Sequence, residues 1–551
     1  MNDNTYNITM KIRGMAAKHP HRKAFIWAAG KDRTTGKTRY KHITYGKFEE
    51  QTDAYAYGLK RIGICRGVKT IVLIKPDIRL FLFYTALLKI GAIPIMIDAG
   101  MGVGNMLKCL SSTQAEAFIG IPIAHVLRVL NKNKFTSIKT HVTIGPRLFW
   151  KGYSVDTINQ PQERPFPIND PGPHELAAIF FTTGSTGPAK GVEFTPMVMN
   201  AQVEQIRSFL GLAENEIDLA TYPMFALFDI VLGNTAVFPD MDPTKPAHVN
   251  PKHIISTIND LNITNIFASP ALLSRVGKYA TKRGVTFPSV KRVLSGGAPV
   301  SAAIMEKFAS TLHNAQVFSI YGATECLPVS YVGSNEVLAE QSKSEKLTNG
   351  TCVGKPLPGV EVRIITITDA PIALWSDDLL AEKGQVGEIT VRCDHLSKKY
   401  YHRTDADAVH KIKEGGTIWH RMGDLGRIDE NGNMWFCGRK NHRVMSENRT
   451  FFTVPCENIF NTHPLVKRSA LVGIDLGQGV LPVMCVEPEK NIKPDHRMTK
   501  DLLDTASKYT MTESINRIEY FDIFPVDIRH NAKIFREQLA ENVQKRYAAN
   551  H

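Results

Sequence analysis

Apolar positions along this chain follow two rhythms, and the chain switches between them again and again. From Phe48 to Ile62 they recur at helical spacing, and Thr70 to Ile74 is a short β-branched run. Leu80 to Lys89 returns to the helical period, and Ile93 to Ile97 is a second short strand. Leu80 to Ile97 is the most apolar stretch. Lys89, Gly91 and Pro94 interrupt it, so it reads as helix, glycine turn and buried strand rather than a membrane span. Helix–strand alternation of this kind predicts an α/β layered fold around a parallel sheet. Five prolines between Pro161 and Pro173 mark a linker or surface loop. Leu176 to Phe181 is strand-like, Asn200 to Leu210 is helical, and the alternation continues to about Gly333.

The texture then changes. Val353 to Arg392 is rich in Gly, Pro and β-branched residues and reads as a smaller β-rich unit. Gly426 to Phe436 is a hairpin with its turn at Asn431–Gly432. The final stretch has a mixed α+β texture. With 551 residues the chain is too long for one ordinary core. The expected organisation is a large N-terminal α/β domain, residues 1–440, and a small C-terminal α+β domain, residues 441–551.

Composition excludes several classes. Hydrophobic residues at 43% and charged residues at 22% rule out collagen-like, coiled-coil and largely disordered chains. The formal charge is +14, of which residues 440–551 contribute only +2, from 16 Lys/Arg against 14 Asp/Glu. No long Lys/Arg block exists, so the surface is expected to bind no nucleic acid and to have at most weak attraction for a membrane surface. Eight cysteines without a CxxC pair exclude zinc-finger spacing and a disulfide framework. Reduced, mostly buried thiols in a cytoplasmic protein are expected, with no histidine cluster able to hold a metal. The N-terminus lacks an apolar signal segment.

Four segments carry chemistry. Thr182-Thr183-Gly184-Ser185-Thr186-Gly187-Pro188-Ala189-Lys190-Gly191 follows a strand and combines three glycines, four hydroxyls and one lysine. Glycines admit backbone N–H groups to a polyphosphate, hydroxyls donate to its oxygens, and the lysine offsets its charge. The spacing is not that of a Walker A loop. Tyr321-Gly322-Ala323-Thr324-Glu325 follows the strand from Gln316 to Ile320. Gly423-Asp424-Leu425-Gly426 precedes the hairpin, which ends at Gly438-Arg439, and a carboxylate at a strand edge suits a ribose diol. Lys533 stands in a late run from Arg529 to Arg536.

In this order and spacing the four segments resemble the AMP-binding, acyl-adenylate-forming superfamily over nearly the whole chain. The resemblance implies ATP and Mg²⁺ as cofactors. It implies a phosphate loop from Thr182 to Lys190 and an adenine frame of Gly296-Gly297-Ala298-Pro299 with Tyr321, Gly322 and Ala323. Thr324 would contact the α-phosphate, Glu325 the metal, and Asp424 the ribose, with Arg439 nearby. Lys533 would bridge the acyl carboxylate and the α-phosphate.

Three departures from ordinary CoA ligases stand out. Ala226 occupies the place where a His or aromatic gates the thiol tunnel, Asn441 replaces the usual hinge Asp or Lys, and the stretch from Val444 to Thr453 has no glycine. These segments, together with Ile97 to Gly102, Phe225 to Asp229 and Pro239 to Thr244, are similar to the olefin β-lactone synthetase branch. That resemblance implies activation of a long-chain 3-hydroxy fatty acid, then ring closure by its own hydroxyl, alongside other enzymes of an olefin pathway. Phe225, Ala226 and Phe228 would wall the acyl pocket. A long-chain fatty acyl-CoA ligase is the alternative reading, and an inactive nucleotide-binding interaction protein is another of a different class.

Overall fold

The structure is a computed structural model. It describes residues 5–97, 101–182, 189–341, 344–447, 449–475, 477, 479–526 and 534–549. The alternating rhythm of the first 200 residues becomes a seven-stranded sheet. Its order is Tyr153–Ser154, Thr140–Thr143, Ala117–Gly120, Lys69–Leu73, Ile93–Ile97, Ala178–Phe181 and Gly191–Phe194. Every neighbouring pair is parallel except the last, a hairpin whose connecting loop is the Gly/Ser/Thr segment.

A second sheet has fourteen strands. Its parallel part runs Gln316–Ala323, Arg292–Ser295, Asn265–Ala268, Ile217–Ala220, Thr235–Phe238 and Lys23–Lys31. Antiparallel Thr38–Thr44 covers one edge and Cys326–Gly333 the other. The β-rich stretch continues this sheet as an antiparallel arm: Ser330 pairs with Pro356, and Met434–Arg439, Thr417–Ile428, Gly387–Arg392 and Glu361–Ile365 follow in order. The chain is thus α/β, with a β-rich extension.

The helix Ile78–Ile90 lies between the two sheets and is buried over eleven of its thirteen residues. A helix apolar on all sides must be covered on all sides. Phe81 stacks on Phe238 at 5.3 Å between ring centroids and tilts against Phe25 at 5.0 Å, while Val72 and Ile119 of the other sheet belong to the same cluster. The helix opens on Asp77, whose carboxylate accepts from Arg79 N, and closes on Gly91 at φ +77°. Structural helices begin a few residues before their periodic apolar runs. Thr44 caps Tyr45–Arg61, and Thr195 with Pro196 opens Pro196–Leu210.

One cation is locked inside this packing. Lys89 is fully buried, with Nζ 2.6 Å from Asp53 Oδ1, 2.7 Å from Thr52 Oγ1 and 2.8 Å from Glu49 Oε1. Arg13 bridges the same two carboxylates at 2.6 and 2.9 Å, so the knot joins the helices Thr9–Lys18, Tyr45–Arg61 and Ile78–Ile90.

Residues 444–549 contain a short ribbon, a three-stranded sheet of Val466–Asp475, Val480–Pro488 and Ile518–Tyr520, and the helices Thr453–Phe460, His496–Ala506 and Arg536–Ala549. Their two apolar clusters draw on no described residue before Val444. Polar contacts join this part to the rest: Asn458 Nδ2 donates to Gly350 O at 3.1 Å, and His442 Nε2 lies 3.2 Å from Glu537 Oε1.

Replacing Lys89 with methionine leaves its buried carboxylates with one cation for two charges. Lys89→Met should lower the unfolding free energy by ~3 kcal/mol or more. Lys11→Met, which breaks the exposed pair with Glu204, should cost under about 1 kcal/mol. Urea unfolding of both variants measures the contrast.

Candidate active site

A cavity of about 720 Å³ opens where the two sheets and the antiparallel arm meet. Thr182, Lys190, Gly296, Gly297, Gly322, Ala323, Thr324, Glu325 and Arg439 line it, as do Phe225 and Phe228. Ala226 does not: it is fully buried in the main core, because the helix Ala226–Leu232 turns it away from the opening. Ala298 and Pro299 continue the loop after Arg292–Ser295 and lie outside the lining. Thr183, Gly184, Ser185, Thr186, Gly187 and Lys533 lie outside the described residues.

The ends of the Gly/Ser/Thr loop are held together, with Thr182 N donating to Lys190 O at 3.0 Å. The segment around Tyr400 packs alongside: Tyr401 N donates to Gly191 O at 2.7 Å. Lys190 Nζ lies 2.7 Å from His410 Nε2 and 5.1 Å from the centre of the Tyr400 ring. His410 Nδ1 lies 3.1 Å from Arg421 O and donates to it. That leaves Nε2 as the acceptor of a Lys190 proton. Burial holds His410 down to about 4, with the Lys190 charge adding to the effect. Burial also lowers Lys190, which the Glu325 charge partly restores.

Tyr400 donates its hydroxyl to Glu325 Oε1 at 2.6 Å. Buried Lys411 also lies over the Tyr400 ring, 5.2 Å from its centre, and donates to Ser397 O at 2.5 Å. Burial pushes Lys411 down to about 8. Two lysines, a tyrosine and neutral histidines therefore surround one carboxylate.

The hairpin Gln316–Ala323/Cys326–Gly333 turns at Thr324–Glu325 and carries both into the cavity. Its glycine is obligatory: a Cβ at Gly322 would lie 2.7 Å from Cys326 O. Tyr321 donates its hydroxyl to Asp424 Oδ2 at 2.8 Å, and Arg439 Nη1 lies 2.8 Å from Asp424 Oδ1. Asp424 and Arg439 are direct partners across the ladder of the arm. Burial raises the Asp424 carboxyl, and Arg439 and Tyr321 oppose the shift. Next in the chain, Lys440 reaches Glu388 Oε2 at 3.1 Å, the oxygen that also takes Arg421 at 2.6 Å. Asn441 joins the cavity lining.

The rest of the cavity is different. Ile206, Phe209, Leu210, Leu212 and Leu232 make an apolar wall with Phe225 and Phe228. Phe225 stacks on Phe267 at 4.0 Å. Asp218 and Asp229 form a buried polar floor. Burial raises both carboxyls; the Asp218 charge raises Asp229 further, while the hydrogen bond with Asp229 opposes the rise at Asp218.

Sequence reasoning missed Tyr400, His410, Lys411 and His420. No local motif marks them; the one trace is that Lys411 faces His420 in the ladder, polar positions inside a β-rich run. The expectation that no histidine joins a ligand cluster needs correction. His395 sits with Cys326 and Cys393, donor atoms within 4.8 Å of one another, and the two Sγ atoms are 3.2 Å apart. The pairing of residues 67 positions apart hid the group. None of the eight cysteines is joined in a disulfide.

The sequence matches the AMP-binding enzyme family over residues 12–401. The chain belongs to that family. Two curated relatives named olefin beta-lactone synthetase, from Stenotrophomonas maltophilia (strain K279a) and Xanthomonas campestris pv. campestris, are 38% and 37% identical. In both cases the match covers 97% of this chain and 97% of the relative. Among solved structures, an amide bond synthetase from Marinactinospora thermotolerans superposes with a TM-score of 0.78 at 20% identity. It covers 97% of this chain and 99% of that one, and shows the shared fold. AMP-binding enzymes of this kind are AMP-forming and use ATP, so the protein is an AMP-forming ligase or synthetase.

His410 makes acid stability a readout of this AMP-binding enzyme's site. Its folded pKa of about 4 lies below the ordinary 6.5, so the unfolded chain takes up the proton first. The stabilisation is complete above about pH 6.5 and is lost as pH falls toward 4. By pH 5 this one residue should remove about 2 kcal/mol. His410→Gln, measured by urea unfolding from pH 7.5 to 5, should show a shallower decline than the parent.

Proposed function

We propose that the protein activates a long-chain 3-hydroxy carboxylic acid with ATP and then closes it to a β-lactone. The observation that carries this reading is identity of 37–38% across 97% of the chain with relatives named for that activity. An apolar wall of Phe209, Leu210, Leu212, Phe225 and Phe228 beside the phosphate-facing residues is the cavity an acyl adenylate requires.

In the first step a carboxylate oxygen of the acid bonds to the α-phosphorus and the bond to pyrophosphate breaks. Repulsion between anions is the obstacle, so positioned cations dominate the catalysis. Lys190, held by His410, faces the polyphosphate. Lys533 bridges the attacking carboxylate and the α-phosphate, and Thr324 donates to the same phosphate. Asp424, fixed by Tyr321 and Arg439, takes the ribose hydroxyls. Glu325 suits Mg²⁺, because a hard carboxylate oxygen lining the cavity is the donor such an ion takes from protein while phosphates and waters complete its shell. An ion held by Glu325 would supply neutralising charge to the departing pyrophosphate.

In the second step the substrate's own 3-hydroxyl oxygen bonds to the acyl carbon. AMP leaves with the electron pair, and the hydroxyl proton passes to solvent. An intramolecular nucleophile has a high effective concentration, which offsets ring strain together with the reactivity of the mixed anhydride. No thiol path is needed. Ala226 in the core, Asn441 at the cavity edge and the glycine-free stretch after Val444 support that reading. Residues 441–551 act as a mobile unit hinged near Lys440 that delivers Lys533.

Product analysis after incubation with ATP, Mg²⁺ and a 3-hydroxy long-chain acid should find AMP, pyrophosphate and a β-lactone without CoA. An absolute CoA requirement with a thioester as the sole acyl product overturns the proposal. Lys533→Ala should slow ATP–pyrophosphate exchange by ~10²-fold or more while leaving the unfolding temperature unchanged. Parental exchange rates in that variant would remove Lys533 from the mechanism.

A further inference from the structure

The helix Pro122–Leu130 and the loop 145–150 beside it present an outer surface that the adenylation chemistry does not use. Ile123 is 69% exposed and Leu130 is 78% exposed. They are seven residues apart, so they share one face of the helix, with half-buried Leu127 between them. In the loop, Leu148 is 56% and Phe149 is 73% exposed. The loop lies against the helix: Trp150 stacks on His125 at 5.3 Å, and Pro122 packs beside Gly145. Single exposed apolar side chains are ordinary, but four large ones on two adjoining segments are not.

Charge around them is predominantly positive, with Glu116 Oε2 3.7 Å from Lys139 Nζ offsetting one cation. Residues 121–151 contain Arg128, Lys132, Lys134, Lys139, Arg147 and Lys151 and no Asp or Glu. All but Arg128 are exposed. His125 is buried and held neutral, down to about 4, so the positive charge resides on the flexible lysine and arginine side chains. An apolar ridge edged by cations meets two demands of an anionic phospholipid surface, insertion below the headgroups and attraction to them. A protein partner would have no need of so large an excess of positive charge around an apolar ridge.

We propose that this face docks the protein reversibly onto anionic phospholipid. The inference is independent of the lactone reading, since its measurement needs no substrate. Full-length protein should co-sediment with phosphatidylglycerol vesicles and bind phosphatidylcholine vesicles at least about tenfold more weakly. Added salt should release it. Leu148→Asp with Phe149→Asp should lower the partition onto phosphatidylglycerol by about tenfold or more. Lys132→Glu with Lys134→Glu tests the charge separately on exposed residues that no core contact depends on. Unaltered ATP–pyrophosphate exchange without vesicles shows that both variants are folded.

Equal binding to the two lipids, no binding to phosphatidylglycerol, or retained binding in either double variant overturns the proposal. So does a concentration-dependent dimer, or binding to a DNA or RNA oligonucleotide, that these variants abolish while vesicles leave the protein in solution.

Discussion

The ion pair between Asp424 and Arg439 is where the architecture converges. The two residues are directly opposed in an antiparallel ladder and 2.8 Å apart. Tyr321 reaches the same carboxylate from the end of the parallel part of the sheet. Strand Gln316–Ala323 and the arm are thereby tied at the rim of the cavity through the buried Asp424 carboxylate, with the Arg439 side chain still 38% exposed. One residue later Lys440 is anchored to Glu388, and from there the chain leaves for its last hundred residues. A side chain at Gly438 would collide with Thr453, so the first helix of the C-terminal part comes close to the backbone of the same strand.

Around Lys190 the problem is to keep cations close together without mutual repulsion. His410 and His420 are neutral because they are buried, and both Lys190 and Lys411 lie over the Tyr400 ring. The ring quadrupole attracts both ammonium groups, and its hydroxyl ends on Glu325. The arrangement concentrates positive charge where an anion with several negative charges would enter, with one carboxylate as the counterweight.

Much of this was readable before any coordinates. Period-2 and period-3.6 runs located the early helices and strands, with errors at their starts, because capping by Thr44, Asp77 and Thr195 extends a helix ahead of its apolar stripe. Glycines were informative where backbone approach demands them, as at Gly322. The polar residues that hold Lys190 were not readable. His410, Lys411 and Tyr400 act through partners more than two hundred positions away or across a ladder, and no local spacing encodes such a contact. Ala226 shows the opposite failure, a motif position whose side chain the helix turned into the core. The group of Cys326, Cys393 and His395 was hidden by sequence distance in the same way.

The buried helix Ile78–Ile90 has a consequence for synthesis. One of its covers, the sheet with Lys69–Leu73 and Ile93–Ile97, emerges with it. The other includes Lys23–Lys31, whose parallel partner is Thr235–Phe238. At about 5–20 residues per second, the ribosome takes on the order of ten seconds or more to supply that partner after the first strand has left the exit tunnel. From the emergence of the helix to the end of that interval Phe81 lacks Phe238, and an apolar helix face waits uncovered. The nascent chain therefore has a built-in period of exposed apolar surface, set by strand order and ended only when residue 238 has emerged.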